Sequence, residues 1–268
     1  MAPTVEVPDS VPQVVGALAG AGSVVLAGGT AVMPVVNTTA HDVAALVSLR
    51  RAGLRRIEVE GGRAVVGAAT TLAAVGRDER LAVLRPVIES IASPTIRNLA
   101  TVGGNLFVHQ PYGDLAVALL ALDAEVDVAG AAGDTTRPVA EVLRDGVGAR
   151  EVVTAVAFDV PDAAAWRYTK AMRRRQNSAS IVTVAAVLDL DGDVVRSARI
   201  ALGGAGARPV RAAAAEQALA GGPLDHERAD AAGRAALADA EPFDDAYASA
   251  WYRGRVLPVH LRRALLGE

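Results

Sequence analysis

The sequence predicts an α+β chain: helices mixed with strands up to about residue 160, then an antiparallel sheet backed by helices. Three observations lead to this. Short β-branched runs alternate with apolar helical stretches through the first 160 residues, punctuated by glycine and proline. From Trp166 to Leu202 the pattern becomes a meander, and from Val210 onward helical periodicity takes over. The chain has 268 residues, 51% of them apolar and only 3% aromatic, so it can bury a large core built from Ala, Val and Leu.

Taken in order, Val5–Val7 reads as a strand, and Asp9 or Ser10 caps a helix with Pro12 in its first turn, ending at Gly20 or Gly22. Ser23–Ala27 is a buried strand running into Gly28-Gly29-Thr30, and a second helix reaches about Asn37. Val43–Leu49 and Arg55–Glu60 read as strands, with Gly61-Gly62 turning the latter into Arg63–Gly67. Thr70-Thr71 caps a helical stretch to about Ala92, broken at Pro86. Ser93–Asn105 reads as irregular, Asp114 starts an apolar helix over Leu115–Leu122, and strands follow at Glu125–Ala129 and Glu151–Val160. The meander is Trp166–Met172, Ser180–Asp189, an Asp191-Gly192 turn and Val194–Leu202. Helices at about Val210–Leu219, His226–Ala238 and Tyr247–Leu265 complete the pattern.

Composition removes several function classes. A net charge of −3 with 21% charged residues argues against nucleic acid as the main partner, since a groove binder carries a basic surface. With no cysteine the chain has no disulfide, thiol nucleophile, zinc ribbon or self-ligated iron–sulfur cluster. His41, His109, His226 and His260 show no metal-ligand spacing. Any redox chemistry therefore needs an organic cofactor. Ser10–His41 contains no charged side chain, but Pro12, Pro34 and five glycines interrupt it, so no transmembrane segment is expected. The first nine residues lack a signal peptide's basic start, and a cytoplasmic location is the expectation. Lys170 is the one lysine among 27 basic residues, which marks its position out.

Two glycine-pair loops carry the chemistry. Ala27-Gly28-Gly29-Thr30 and Thr101-Val102-Gly103-Gly104-Asn105 can each present backbone N–H groups in a concave nest, with a hydroxyl beside them and no Cβ in the way of a phosphate. Ordinary tight turns explain the same residues, and both readings stay open at this point. Neither loop fits G-x-G-x-x-G or the P-loop pattern. Leu202-Gly203-Gly204-Ala205-Gly206 reads as a strand-to-helix connection. Asp189-Leu-Asp191-Gly-Asp193 lacks the later glutamate of a calcium loop and reads as a hairpin turn. Arg173-Arg174-Arg175 reads as a solvated edge or an anchor for an acidic partner.

Ala27-Gly-Gly-Thr30, Gly67-Ala-Ala-Thr-Thr71, Ile96-Arg-Asn-Leu-Ala-Thr-Val-Gly-Gly-Asn105, Pro111-Tyr-Gly-Asp114 and Leu119-Leu-Ala-Leu-Asp-Ala124 together resemble the FAD-binding (medium) subunit of the molybdenum hydroxylases. Tyr168-Thr-Lys170, Ala201-Leu-Gly-Gly-Ala-Gly206, Pro209-Val-Arg-Ala212 and Ala248-Ser-Ala-Trp-Tyr-Arg253 extend the resemblance over the whole chain. Similar sequences are the flavoprotein subunit of carbon monoxide dehydrogenase and the FAD domain of xanthine dehydrogenase.

The resemblance implies a vanillyl-alcohol-oxidase (PCMH) type fold over residues 1–161, in subdomains of about 1–55 and 56–161, and a C-terminal antiparallel sheet domain with helices over 162–268. It implies a non-covalent FAD, its diphosphate at Ala27, Gly28, Gly29, Thr30 and Ala31 and at Thr101, Val102, Gly103, Gly104 and Asn105. Asp114 would lie at the ribose and adenine end, Val153 beside the cofactor through its backbone, and Lys170 near the flavin ring. Molybdopterin and [2Fe-2S] clusters would sit only on partner subunits, a molybdopterin large subunit and an iron–sulfur small subunit. Electrons would pass from those clusters through FAD to an external acceptor. Ala31, Tyr112 and Ser178 depart from the family pattern. They keep open a stand-alone FAD oxidoreductase, with a non-catalytic binding module as a third reading.

Overall fold

The computed structural model describes residues 3–39, 43–174 and 178–268. His41 and Arg175 lie outside them. The chain forms two compact units: Met1–Arg80 with Pro94–Val108 and Ala124–Asp159, and Leu81–Ser93 with His109–Asp123 and Val160–Glu268.

The first unit starts with three short parallel strands, β1 (Thr4–Glu6), β2 (Ser23–Leu26) and β3 (Ala45–Ser48), in the order β1-β3-β2. Parallel neighbours need crossovers, and the helices Val11–Ala17 and Val32–Thr39 supply them. Ser10 caps the first by accepting from the Gln13 N–H, and Pro12 sits in its opening turn, where no helical hydrogen bond is lost. That helix buries Val14 and Leu18 against Val47, Leu54 and Val152.

The second sheet of this unit holds β4 (Ile57–Glu60), β5 (Arg63–Gly67), β6 (Glu125–Gly130), β7 (Gly133–Pro138) and β8 (Glu151–Asp159), antiparallel in the order β4-β5-β8-β6-β7. Gly61 and Gly62 join β4 to β5 with φ of +55° and +83°, the left-handed pair that a two-residue hairpin turn demands. β7 and the helix Val139–Asp145 were not expected. β7 is an edge strand, mostly exposed, so no buried alternation marks it.

The second unit is a sheet of β9 (Trp166–Met172), β10 (Ser180–Asp191), β11 (Val194–Gly203) and β12 (Val210–Arg211), paired in the order β12-β11-β10-β9, with β13 (Gly222–Pro223) beside β11. Alternation along β10 divides its faces. Val182, Val184, Ala186 and Leu188 join the core made by Leu257, Leu261 and Leu265 of the helix Ala250–Leu266. Thr183 bonds instead to Asp114 of the helix Asp114–Ala121. Every residue of that short helix is buried, which its uniformly apolar run requires.

Three local readings are corrected. Pro86 does not break a helix; it opens the helix Arg85–Ser90, and the stretch from Thr71 divides earlier, at Asp78. Ser93–Asn105 is not irregular throughout, because it contains the single turns Pro94–Arg97 and Val102–Leu106. The last helix begins at Ala250 because the Ser249 side chain accepts from the Tyr252 N–H and caps it there. Leu81–Ser93 and His109–Asp123, in the first part of the sequence, fold with the second unit, since the apolar helix Asp114–Ala121 packs on β10 and β11.

Candidate functional site

In the first unit β2 and β3 are parallel neighbours with Leu26 opposite Ser48, so the loops leaving them open on one edge of the sheet. The loop after β2 is Ala27-Gly28-Gly29-Thr30. A Cβ on Gly28 would lie 1.9 Å from the Leu99 carbonyl oxygen, so only glycine fits there. Gly29 takes φ +74°, and its carbonyl accepts from Met33 N–H at the start of the next helix. Among the described residues the N–H groups of Gly28, Gly29 and Thr30 donate to no protein acceptor.

The second glycine loop behaves differently. Thr101 caps Val102–Leu106 by accepting from Gly104 N–H at 3.2 Å. The N–H groups of Val102, Gly103 and Asn105 donate to Thr70 O, Ala68 O and Thr101 O. Four of the five amides of this loop are thus satisfied within the protein; of the five, only the Thr101 N–H donates to no protein acceptor among the described residues. Gly103 lies flush on Ala68, where a Cβ would come within 2.8 Å of the Ala68 Cβ. Gly104 faces open space except for the Thr101 hydroxyl 2.9 Å from its missing Cβ.

A cleft of about 230 Å³ opens beside these loops, lined by Ala27, Gly28, Ser48, Arg50, Arg55 and Thr101 among others. That is below the roughly 300–1,000 Å³ of a site enclosing a whole drug-sized ligand, so it suits one portion of a dinucleotide. No lining residue is acidic, and Ser48, Thr71, Thr101 and Asn98 add hydroxyl and amide groups. This donor set fits a phosphate-bearing cofactor. Sequence reasoning placed Ala27, Gly28 and Thr101 here but missed Ser48, Arg50, Arg55, Thr71 and Asn98. Two arginines among 26 give no signal of their own. Val153 lies in the interior of β8, opposite Val128 and 4% exposed, and does not line the cleft.

In the second unit Lys170 lies on β9, its side chain 3% exposed. Its Nζ donates to Asp114 Oδ2 at 2.8 Å and to the Ser90 carbonyl at 2.9 Å. The other Asp114 oxygen accepts from Thr183 at 2.7 Å. Burial pushes the Asp114 carboxyl above its ordinary range, while the ammonium, the Thr183 hydroxyl and a backbone N–H draw it back. Ser90 also shares a 2.8 Å hydrogen bond with the Tyr168 hydroxyl. Burial, and then the Asp114 charge, hold that hydroxyl well above the phenol range. The resemblance assigns Asp114 and Lys170 to opposite ends of an extended FAD, but an ion pair of 2.8 Å makes them a single feature in one place. Arg173 and Arg174 are exposed, and Arg173 donates to Ala246 O. Among the described residues there is no group of three or more metal-ligating side chains, and no helix is long and apolar enough to cross a membrane.

Residues 3–161 match the family described as the FAD binding domain in molybdopterin dehydrogenase, and residues 167–267 match the CO dehydrogenase flavoprotein C-terminal domain. The chain is 30% identical to the carbon monoxide dehydrogenase medium chain of Afipia carboxidovorans, over 90% of its own length and 86% of the relative's. It is 30% identical to the 6-hydroxypseudooxynicotine dehydrogenase complex subunit alpha of Paenarthrobacter nicotinovorans, over 97% and 92% of the two lengths. Among solved structures, a chain of carbon monoxide dehydrogenase from Hydrogenophaga pseudoflava superposes with a TM-score of 0.94 at 28% identity, covering 99% of this chain and 96% of that one.

Proposed function

This chain belongs to the family of FAD-binding domains of molybdopterin dehydrogenases, and from that premise we propose that it is the electron-transfer flavoprotein subunit of a molybdenum hydroxylase. FAD supplies the redox chemistry when bound, taking up electrons and giving them to an external acceptor. The chain's own part is to hold the dinucleotide, orient it and shield it. Without cysteine it has no ligands for an iron–sulfur cluster, so the clusters and the molybdopterin belong to a small and a large partner subunit. We place the complex in the cytoplasm, with the division of labour falling between residues 1–161 and 162–268.

The observation that carries this reading is the cleft at the ends of β2 and β3, where a loop with three amides without protein acceptors enters, through Ala27 and Gly28, an acid-free, hydroxyl-bearing wall. Ala27–Ala31 donates to the diphosphate through the amides of Gly28, Gly29 and Thr30. Thr101–Asn105 contributes differently: four of its five amides are committed, so Thr101 holds the wall in shape and Gly104 leaves room. Asp114 and Lys170 act as a positioning pair, tying β9 and β10 to the carbonyl of Ser90. Co-expression with a cysteine-rich small chain and a molybdopterin-binding large chain tests the assignment. A stable ternary complex carrying FAD supports it, and a flavin-loaded chain that oxidises a small molecule unaided contradicts it.

A further inference from the structure

The cleft carries two cationic side chains that neither glycine loop explains. Arg50 lies in the 3₁₀ turn Leu49–Arg51 directly after β3, and Arg55 directly precedes β4. Their side chains are exposed, and among the described residues neither guanidinium has a carboxylate partner. The backbone at or beside each of them, in contrast, is pinned. The Ser48 hydroxyl, on a residue 6% exposed, accepts from Arg50 N–H. Next to Arg55, the buried Thr70 hydroxyl accepts from Arg56 N–H at 3.1 Å and donates to Arg56 O at 3.0 Å. On the other side, the Leu54 carbonyl accepts from Ala69 N–H.

Elsewhere on this unit most cations have carboxylate partners, and Arg77 and Arg150, for which no ion pair is seen among the described residues, do not line the cleft. Arg51 pairs with Asp9, Arg56 with Glu58, Arg80 with Asp78 and Arg137 with Glu151. The neighbouring surface cleft carries Glu58, Glu60 and Arg63, and that arginine is already paired with Glu125 and Asp159. An anion therefore meets unmatched positive charge at the Arg50/Arg55 cleft and negative charge at the other. A diphosphate brings two negative charges. Both loops offer it only neutral amides, and the second has committed four of its five. A chain with a net charge of −3 supplies no general positive field to make up the difference.

We propose that Arg50 and Arg55 bind the diphosphate of the dinucleotide and so make this chain select FAD over flavins that lack a diphosphate. The guanidinium fork suits two phosphate oxygens at once, and pinning the flanking backbone lowers the ordering cost of placing it. This rests on the FAD reading above and goes beyond it by assigning the countercharge to two residues outside both glycine loops.

The test is a fluorescence titration of the deflavinated full-length chain with FAD at two salt concentrations, with ADP as competitor. Arg50→Gln and Arg55→Gln should each weaken FAD binding about tenfold. The double variant should lose more, together with most of the salt dependence and the ability of ADP to compete. Glu58→Gln with Glu60→Gln, in the neighbouring cleft, should stay within about twofold of wild type, separating a local contact from a change in net charge. If the double variant does not fold, the single variants carry the test. Wild type that binds FAD, with arginine variants that match it in affinity and salt slope, overturns this proposal alone. A folded wild-type chain that takes up no FAD overturns the cofactor reading and this proposal together.

Discussion

In the first unit Arg50 and Arg55 line a cleft with no acidic residue in its wall, and the loop that reaches it through Gly28 has three amides with no protein acceptor. In the second unit the opposite holds. Lys170 is buried against Asp114 and Ser90 O, and Arg253, with no exposed surface, bonds the carbonyls of Ser180, Ile181 and Gly204 and the carboxylate of Asp245. One unit keeps polar capacity in reserve and the other uses it to lock its own strands. Lone basic residues look alike in a sequence, and only the partners around them separate a ligand contact from an internal brace. Burying a charge without a partner is prohibitive, whereas an exposed arginine at a cleft costs little to hold ready.

The comparison is broken most forcefully at the buried pair. Lys170→Met leaves Asp114 uncompensated and should cost about 3–5 kcal/mol in denaturant unfolding. Adding Asp114→Leu should restore most of that, because the buried carboxyl left without a partner is then replaced by an apolar side chain that burial does not penalise. A small loss from Lys170→Met alone would mean that the pair does not brace the unit.

A smaller effect is expected in the first unit from Gly28→Ala. The added Cβ meets backbone at Leu99 instead of a movable side chain, so the loop must shift, at about 1–3 kcal/mol. Flavin content after purification should fall with it. Retained flavin would show that this loop is only a turn.

Thr101→Val removes the cap of Val102–Leu106 and should cost about 1 kcal/mol by thermal melting, with FAD affinity falling only modestly. A collapse of FAD binding would instead make the Thr101 hydroxyl a direct ligand. Gly104→Val fills the open side of the same loop, and flavin occupancy should drop more than stability does.

The smallest effect is a pH limb in the second unit. Burial raises the Asp245 carboxyl, but the Ala248 and Tyr247 N–H groups and the Arg253 guanidinium outweigh it and hold it below its ordinary 3.8. A carboxyl depressed in the folded state adds stability above its unfolded value, and loses it as pH falls through the folded one. Stability should therefore be level in this respect between pH 7 and about 5 and decline below about 4. Asp245→Asn should flatten that limb, and an unchanged acid limb would contradict the assignment.

Parts of this were legible from residues alone because their cause is local. Gly61-Gly62 and Asp191-Gly192 announce hairpins through the positive φ that Gly61, Gly62 and Gly192 adopt. Gly28, Gly29 and Thr101 announced themselves through loop chemistry. What depends on distant partners was not legible. Nothing near Lys170 points to Asp114, 56 positions away, and nothing within Leu115–Leu122 tells which sheet will cover it. The second glycine loop looked as open as the first, and the carbonyls of Ala68 and Thr70, brought in by the end of β5, show that its Val102 and Gly103 amides are taken. β7 escaped because an exposed edge strand carries no buried face to pattern.

The central claim is that the first unit's cleft, with its reserved amides and cations, holds FAD without a covalent bond. The most direct measurement is an absorption spectrum of the purified full-length chain, followed by acid precipitation and chromatography of the released flavin. A yellow protein whose supernatant contains stoichiometric FAD is the predicted result. Flavin retained in the pellet, FMN in place of FAD, or a folded chain that takes up no FAD on incubation would contradict it.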